Sequence, residues 1–331
     1  MPEMTPRERT LAALRGEAVD RPPAGFWGHD FLREWSAEGL AAAMVESVRT
    51  YGYDFLKVNP RATYYAEAWG CRYRSSDDGL SGPEPIAWVL GEPSDLEGLR
   101  AVDGAGGPFA EQLEAFRMIR GELGDLPLVQ TVFSPLSVVG RLANDRASVR
   151  RWISEAPESL HAALSAVAET LASYSRACID ADADGIFFAT TEWATHDVMT
   201  VEQYRTFGRQ YDLRVLDAVA GAPMNVLHVC RPNNMLADLL DYPVAAVNWA
   251  QHAPGNLSLA DVLAKTDKAV MGGVDERHAL LRGSPDDVRA QVREALDQTG
   301  GRRFLLAPGC SIEPTTPPKN ILAALAAVAG G

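Results

Sequence analysis

The chain has 331 residues, 47% of them hydrophobic, and a formal net charge of -13. This length fits one large domain, so we expect a single domain over residues 1–331. The acidic balance gives no general attraction to nucleic acid or anionic membranes, and we expect neither as a partner. The charged first residues, and the lack of any run of about 20 apolar residues, predict a cytoplasmic protein without a signal peptide or membrane span.

Helices and short apolar segments alternate along most of the chain. The first helix is predicted to start after Thr5, which can cap it, and Glu8 can complete a capping box. Strands are predicted near residues 24, 54, 127, 185, 225, 245, 269 and 304. Eight short apolar strands separated by helices are typical of a closed parallel barrel, because each strand is covered on both faces. We therefore predict an α/β fold, a (β/α)8 TIM barrel, with a doubly wound open sheet as the alternative.

The segment 61–107 departs from this regular order. It is rich in Gly, Pro, Ser and Asp and lies after the second predicted strand. We predict a long insertion over one face of the domain, with a β-hairpin around Asp78-Gly79. The sequence leaves open whether it covers an active site or is a purely structural excursion.

Polar and metal-binding residues follow the predicted strands. In parallel barrels the catalytic residues lie at the carboxyl ends of the strands. The residues at these positions are His29, Asn59, Ser134, Glu192, His228, Cys230, Asn248, Trp249, Asp275 and Cys310. We therefore expect the functional site at this end of the sheet.

His228 and Cys230 are the first candidates for metal ligands. Alternate residues of a strand face the same way, so both side chains project from one edge of the sheet. Cys310 follows the last predicted strand after a Pro-Gly turn and would reach the same rim of a barrel. A His-x-Cys pair alone often arises by chance, but together with Cys310 it predicts a zinc site that keeps one position open. Glu192 is the candidate for the fourth ligand or a nearby acid, with a solvated loop carboxylate as the alternative.

Further residues are assigned to the same region. Asp275 could act in catalysis by orienting a ligand histidine or the substrate, or it could cap a helix. His29, Asn248 and Trp249 are candidates for binding the cofactor and lining the pocket. A loop position is the alternative for His29, and plain packing is the alternative for Trp249.

The expected ligand set favours a sulfur substrate. Two thiolates and one imidazole leave zinc little net positive charge, so the metal activates water poorly compared with an all-histidine site. Such a metal can hold a thiol as a thiolate at neutral pH while the sulfur stays nucleophilic. The residues therefore predict S-alkylation.

Both ends of the chain resemble the uroporphyrinogen decarboxylase superfamily. The opening reads Arg-Glu-Arg-Thr-Leu-Ala-Ala-Leu-Arg-Gly-Glu at 7–17 and Asp-Arg-Pro-Pro at 20–23. The close reads Leu-Ala-Pro-Gly-Cys at 306–310 and Pro-Thr-Thr-Pro at 314–317. This resemblance also implies a (β/α)8 barrel. The decarboxylases carry an Arg-Gln-Ala-Gly-Arg loop after the first strand, whereas this chain has Gly-His-Asp-Phe-Leu-Arg-Glu at 28–34, which argues against decarboxylation of a polycarboxylate.

A second branch of that superfamily fits better. It comprises zinc-dependent methyltransferases acting between methylated corrinoid proteins and thiols such as coenzyme M, with an epoxyalkane:coenzyme M alkyltransferase. The branch is marked by His-x-Cys and a distant Cys, which His228, Cys230 and Cys310 match. The resemblance implies a zinc-dependent alkyltransferase, in the first place a methyltransferase, with a small-molecule thiol and a corrinoid carried by a partner protein.

Two other functions are compatible with the sequence. One is a decarboxylase that needs no metal, and the other is a non-catalytic barrel that binds a corrinoid. The sequence names neither the methyl donor nor the thiol acceptor, and it leaves open whether the protein is a homodimer.

Overall fold

The computed structural model of the protein describes residues 2–330. The strands are β1 (Leu56–Val58), β2 (Arg72–Arg74), β3 (Glu84–Ala87), β4 (Leu128–Phe133), β5 (Gly185–Ala189), β6 (Val226–Val229), β7 (Ala246–Trp249), β8 (Ala269–Val274) and β9 (Phe304–Pro308).

The α-helices are α1 (Pro6–Leu14), α2 (Ala37–Tyr51), α3 (Tyr64–Glu67), α4 (Pro93–Leu96), α5 (Gly107–Leu123), α6 (Pro135–Leu142), α7 (Arg146–Glu155), α8 (Pro157–Asp180), α9 (Val201–Tyr204), α10 (Gln210–Asp217), α11 (Leu259–Leu263), α12 (Ala279–Arg282), α13 (Pro285–Thr299) and α14 (Pro318–Ala329). A π-helical turn spans Arg205–Arg209 and a 3-10 turn spans Leu236–Asp238. Within residues 2–330, no helix has both the length and the apolar character that crossing a bilayer requires. Thr5 caps α1 in the predicted capping box with Glu8.

Seven of these strands form one curled parallel sheet, counted over the described residues, in the order β1-β4-β5-β6-β7-β8-β9. This confirms the parallel α/β fold, but the eighth strand expected near residue 24 is not a strand. There Ala24 forms a single bridge with Leu306. The reason is local: Pro22 and Pro23 lack N–H groups and cannot donate to a ladder of hydrogen bonds.

The extended segment 23–25 nevertheless bonds to both edge strands of the sheet. The Leu306 N–H donates to the Pro23 carbonyl (2.8 Å), and the Gly25 N–H donates to the Leu306 carbonyl (3.1 Å). On the other side, the Asp54 N–H donates to the Ala24 carbonyl (2.9 Å), just before β1. The curled sheet is therefore linked edge to edge through this short segment.

Alternate residues of the strands belong to two separate apolar clusters. Leu227 and Val229 pack with the helices in the larger cluster. Val226 packs in a smaller cluster that also contains Phe55 and Leu305 and has few helical members. A strand places successive side chains on opposite faces, so the smaller cluster fills the inner face of the curled sheet. Residues further along the inner face reach the carboxyl end of the sheet.

The chain between β1 and β4 contains the whole irregular segment 61–107. Strands β2 and β3 pair antiparallel in a sheet of their own, which confirms the hairpin expected around Asp78-Gly79. Helices α3, α4 and α5 occupy the rest of this crossover, although β1 and β4 are neighbours in the main sheet. The classification of this crossover as an insertion stays a prediction.

A buried carboxyl group lies in helix α10, away from the strand ends. Asp212 Oδ2 accepts hydrogen bonds from Tyr204 (2.7 Å) and Tyr242 (2.8 Å). Its Oδ1 is buried without a partner. Burial raises the pKa of Asp212 from 3.8 to about 7. The charged form is therefore disfavoured in the folded protein.

This carboxyl group should make stability depend on pH. Between about pH 4 and about pH 7 the unfolded chain releases the Asp212 proton while the folded chain keeps it. The free energy of unfolding should therefore fall, by up to about 1.4 kcal/mol per pH unit, as pH rises through this window. Asp212→Asn should lack this contribution, whereas Asp217→Asn, on the exposed side of the same helix, should keep it. Urea denaturation at pH 5 and pH 8 measures the difference, and an identical pH dependence in Asp212→Asn and wild type would refute the assignment.

Candidate metal centre

Three residues predicted as metal ligands meet at the carboxyl end of the sheet. Their ligand atoms, from His228, Cys230 and Cys310, all lie within 4.8 Å of one another. The two sulfur atoms are 3.7 Å apart. Two thiolates each about 2.3 Å from a tetrahedral zinc ion would be separated by about 3.8 Å. The three side chains therefore fit a zinc ion without rearrangement of the sulfurs.

The strand pattern and one glycine bring these ligands together. His228 follows Val226 on the inner face of β6, and Cys230 lies just beyond the strand end. Cys310 comes from the far end of β9, after Gly309. A Cβ at Gly309 would lie 2.9 Å from Ala250 Cα, so only glycine allows this close approach of the two loops. The close packing of these two loops brings Cys310 next to Cys230.

Asn248 fixes the orientation of the His228 ring. Its Oδ1 lies 2.6 Å from His228 Nδ1. Its Nδ2 donates to the carbonyls of Met271 (2.9 Å) and Pro308 (3.0 Å), which determines which end of the amide faces the ring. The Asn248 oxygen can only accept, so Nδ1 carries the hydrogen and Nε2 keeps its lone pair. This is the form of histidine that binds a metal through Nε2.

Removing the Asn248 acceptor should weaken metal binding. We expect Asn248→Ala to lower zinc affinity about 10- to 100-fold, because the ring loses the bond that orients it. Asn225→Ala is the matched control, since Asn225 is also buried and hydrogen-bonded but precedes the other end of β6. Competition with a chelator of known affinity measures both variants. Equal zinc affinity in Asn248→Ala and wild type would contradict this role.

The two thiols share a proton unequally. The Cys230 S–H group donates towards Cys310, and this contact, together with the nearby His228 ring, lowers the pKa of Cys310 well below its usual value. The same contact, with burial, raises the pKa of Cys230. The contact therefore favours the thiolate form of Cys310 over that of Cys230. A metal ion that binds both sulfurs must displace the remaining proton, so metal affinity should rise with pH.

The three ligands open into a cavity of about 290 Å³. Its polar and charged lining includes His29, Lys57, Asn59, Thr131, Arg141, Thr191, Glu192, His228, Cys230, Arg231, Arg277, Cys310, Ser311 and Glu313. The apolar lining includes Trp27, Phe133 and Phe187. The cavity can therefore hold a small molecule in contact with the metal ligands.

Three residues predicted at the strand ends line this cavity without belonging to the ligand cluster: His29, Asn59 and Glu192. Glu192 is half-buried at the wall, and within residues 2–330 the cluster of close ligand atoms comprises His228 and the two cysteines alone. A role for Glu192 as fourth ligand or acid stays a prediction. His29 also faces the cavity, and its Nδ1 lies 2.7 Å from the buried Glu34 carboxylate.

Trp249 and Asp275 lie outside the cavity. Trp249 is fully buried and donates from Nε1 to the Leu257 carbonyl (2.8 Å), so it packs in the core instead of lining the pocket. Asp275 accepts from the backbone N–H groups of Arg277 and His278 (2.8 Å each) in the turn before α12, and its Oδ2 lies 2.9 Å from His278 Nδ1. The N-cap residue of α12 is His278, so Asp275 does not cap this helix. A catalytic role for Asp275 stays a prediction. The histidine-orienting role considered for it is filled by Asn248.

Lys57 is a cavity residue that the sequence analysis missed. It lies in β1 between two buried apolar residues and is 5% exposed. Burial lowers the pKa of Lys57 to about 7. A lysine inside an apolar strand is itself unusual, and its position two residues after Phe55 places it on the inner face. That pattern could have identified it.

The comparison with known proteins agrees with this fold. Residues 5–330 match the family described as uroporphyrinogen decarboxylase (URO-D). The chain belongs to this family, which confirms the resemblance of its terminal motifs.

Within the family the chain is similar to methyltransferases. Methylcobamide:CoM methyltransferase MtaA of Methanosarcina barkeri is 27% identical over 349 residues, which cover 99% of this chain and 98% of the relative. Methylcobamide:CoM methyltransferase MtbA of Methanosarcina acetivorans is 26% identical over 341 residues, which cover 97% and 96%. The solved structure of a methyltransferase from Methanosarcina mazei superposes with a TM-score of 0.84 at 26% identity, covering 98% of both chains.

Proposed function

We propose that this chain is a zinc-dependent alkyltransferase, specifically a methyltransferase that moves a methyl group from a donor such as a methylated corrinoid to a small thiol. The observation that carries the proposal is the convergence of one imidazole and two sulfurs, spaced for zinc, at the wall of a small cavity. Full-length similarity to methylcobamide:CoM methyltransferases supports the direction of transfer.

His228, Cys230 and Cys310 would hold the metal and leave one position towards the cavity. Zinc bound by two thiolates and an imidazole would stabilise a substrate thiol as a thiolate at neutral pH. Asn248 keeps the His228 ring in the binding orientation, and Gly309 allows Cys310 to reach the site. The aromatic wall of Trp27 and Phe187 limits the water around the substrate sulfur.

The transfer itself is a displacement at carbon. The thiol releases its proton to solvent, the substrate sulfur forms a bond to the methyl carbon, and the bond between that carbon and the donor breaks with both electrons left on the donor. A corrinoid ring is far larger than a cavity of about 290 Å³. We therefore place the donor at the cavity mouth, carried by a partner protein.

The test is methyl transfer from methylcobalamin to a panel of small thiols by zinc-loaded protein. Thioether formation is measured by mass spectrometry, and loss of the methyl–cobalt bond is followed by absorbance. We expect transfer that stops when zinc is chelated and returns when zinc is restored. An unchanged rate in metal-free protein would refute the zinc-dependent mechanism.

A further inference from the structure

A histidine and a buried carboxyl group form a pair at the wall of the cavity beside the metal centre. His29 lines this cavity, and its side chain is 20% exposed. Its Nδ1 lies 2.7 Å from Oε2 of Glu34, whose side chain is fully buried. The other carboxyl oxygen of Glu34, Oε1, is buried without a hydrogen-bond partner. The function proposed above assigns no role to this pair.

The contact with Glu34 determines which nitrogen of His29 is free. A carboxylate only accepts hydrogen bonds, so Nδ1 carries the hydrogen and Nε2 keeps its lone pair. Within residues 2–330, Nδ1 makes the one side-chain hydrogen bond of this ring, and Nε2 makes none. The ring of Phe31 stacks on the imidazole, with the centroids 4.8 Å apart and the planes 9° apart. His29 is therefore held in place while one proton acceptor remains free.

The backbone holds this histidine beside the loop that carries Cys310. Gly28 forms a parallel bridge with Ile312, and the Ile312 N–H donates to the Trp27 carbonyl (2.9 Å). A Cβ at Gly28 would lie 2.9 Å from the Ile312 carbonyl oxygen, so the two segments are in close contact. His29 follows this bridge by one residue, and Cys310 precedes it by two. Both residues line the same cavity.

The ligands of the metal centre make a nearby proton acceptor useful. Two thiolates and one imidazole leave zinc little net positive charge, so such an ion acidifies a substrate thiol less than one with neutral ligands. A thiol like that of cysteine has a pKa of about 8.5 in water and is mostly protonated at neutral pH. A base within reach of the sulfur would take up this proton.

We propose that His29 is a catalytic residue that accepts the proton of the substrate thiol, and that Glu34 is the residue that positions it. The S–H bond breaks with both electrons left on sulfur, and the proton passes to His29 Nε2. The thiolate sulfur then attacks the methyl carbon. The imidazolium is paired with the Glu34 carboxylate and gives its proton to solvent after methyl transfer. This inference deepens the proposed function and rests on it.

Lys57 is the other group in this cavity that could take the proton. Its ammonium is attracted first by Cys310 and then by Glu34, and it donates to Asn59 Oδ1. Its hydrogens are thus already directed at groups of the protein, whereas His29 Nε2 has no hydrogen-bond partner among residues 2–330. We therefore assign the proton to His29, and the variant Lys57→Met distinguishes the two groups.

Proton release on thiol binding tests the assignment without turnover. Zinc-loaded protein is titrated with ethanethiol at pH 7.5 by calorimetry in buffers of different ionisation enthalpy, which gives the number of protons released to the buffer. We expect wild type to release clearly less than one proton per thiol bound, because His29 keeps it. His29→Gln should bind zinc like wild type and release about one proton.

His161→Gln is the matched control. His161 also stacks on a phenylalanine, Phe207 (4.5 Å, 12°), and its Nδ1 also makes a hydrogen bond, to Tyr211 (2.7 Å), but it does not line the cavity. This variant should release as few protons as wild type. Equal proton release in wild type and His29→Gln, or a change in Lys57→Met without one in His29→Gln, would overturn the inference.

Thiols of different acidity provide the kinetic test. We expect His29→Gln to lower kcat/KM for methylation of ethanethiol about 100-fold, and to lower it much less for 2,2,2-trifluoroethanethiol, whose fluorines make the S–H group more acidic. Glu34→Gln, which leaves the His29 ring in place, should show the same selective loss in weaker form. A purely structural defect would slow both thiols equally, so an equal loss in His29→Gln would contradict the role of a base.

The two proposals can fail separately. If zinc-loaded wild type methylates thiols and His29→Gln methylates both thiols at the wild-type rate, the assignment of His29 is refuted and the methyltransferase function stands. If wild type methylates no thiol with or without zinc, the proposed function is refuted, and the inference that rests on it is refuted as well.

Discussion

Replacing Cys310 with serine should abolish zinc binding and lower thiol methylation by about a thousandfold or more. Serine keeps the size of the side chain but stays protonated at neutral pH, so the site loses one of its two thiolate ligands. Loss of the metal removes several kcal/mol of charge stabilisation from the reaction. Metal analysis of the purified variant and the methylcobalamin assay measure the two effects, and Cys230→Ser should behave in the same way.

Cys71 provides the matched control for these variants. It is buried beside the carbonyls of Arg141 and Leu142 and does not line the cavity. Cys71→Ser should retain zinc and activity even if it is less stable. If Cys310→Ser retained a full complement of zinc, Cys310 would not be a metal ligand.

Replacing Asp54 with alanine should destabilise the fold by about 3 kcal/mol or more, because the buried Arg9 Nη1 and the Ala24 N–H lose their acceptor, although Asp20 still pairs with Arg9. Asp54 Oδ1 accepts from Arg9 Nη1 (2.6 Å), and Asp54 Oδ2 accepts from Arg21 Nη1 (2.6 Å). Oδ2 also accepts from the Ala24 N–H (2.9 Å), in the segment that links the sheet edges. Asp54 therefore ties helix α1 to the junction between β9 and β1.

Thermal and urea denaturation measure this effect. Glu17→Ala is the control, because the Arg15–Glu17 ion pair is more than half exposed and its loss should leave Tm unchanged within error. If Asp54→Ala had the same small effect as Glu17→Ala, the buried network would not hold the junction together.

The sequence was most informative where local pattern determines structure. Apolar strands alternating with helices predicted the parallel sheet, and the period of a strand placed His228 and Cys230 on one side. The prediction of a strand near residue 24 was wrong, because the consecutive prolines at 22 and 23 have no N–H groups to donate hydrogen bonds to a neighbouring strand. The regular spacing of strands and helices predicts a strand at this position, but the two prolines prevent it.

The supporting residues of the site depend on register between strands. Asn248 pairs directly with His228 in the parallel register of β6 and β7, and Asp275 lies beyond β8 on a loop of its own. One sequence contains no information on that register, so Asn248 could be placed near the site but not assigned to the histidine. Lys57 was missed for a different reason. The apolar residues around it identify the strand, and a lysine within that strand is not at the strand end, where site residues are expected.

X-ray absorption at the zinc edge tests the central claim most directly. For zinc-loaded protein we predict about one zinc per chain, bound by two sulfur atoms and at least one imidazole nitrogen. Adding the substrate thiol should raise the sulfur count to three. A protein that binds no zinc, or binds it through oxygen and nitrogen alone with no change on adding thiol, would contradict the account.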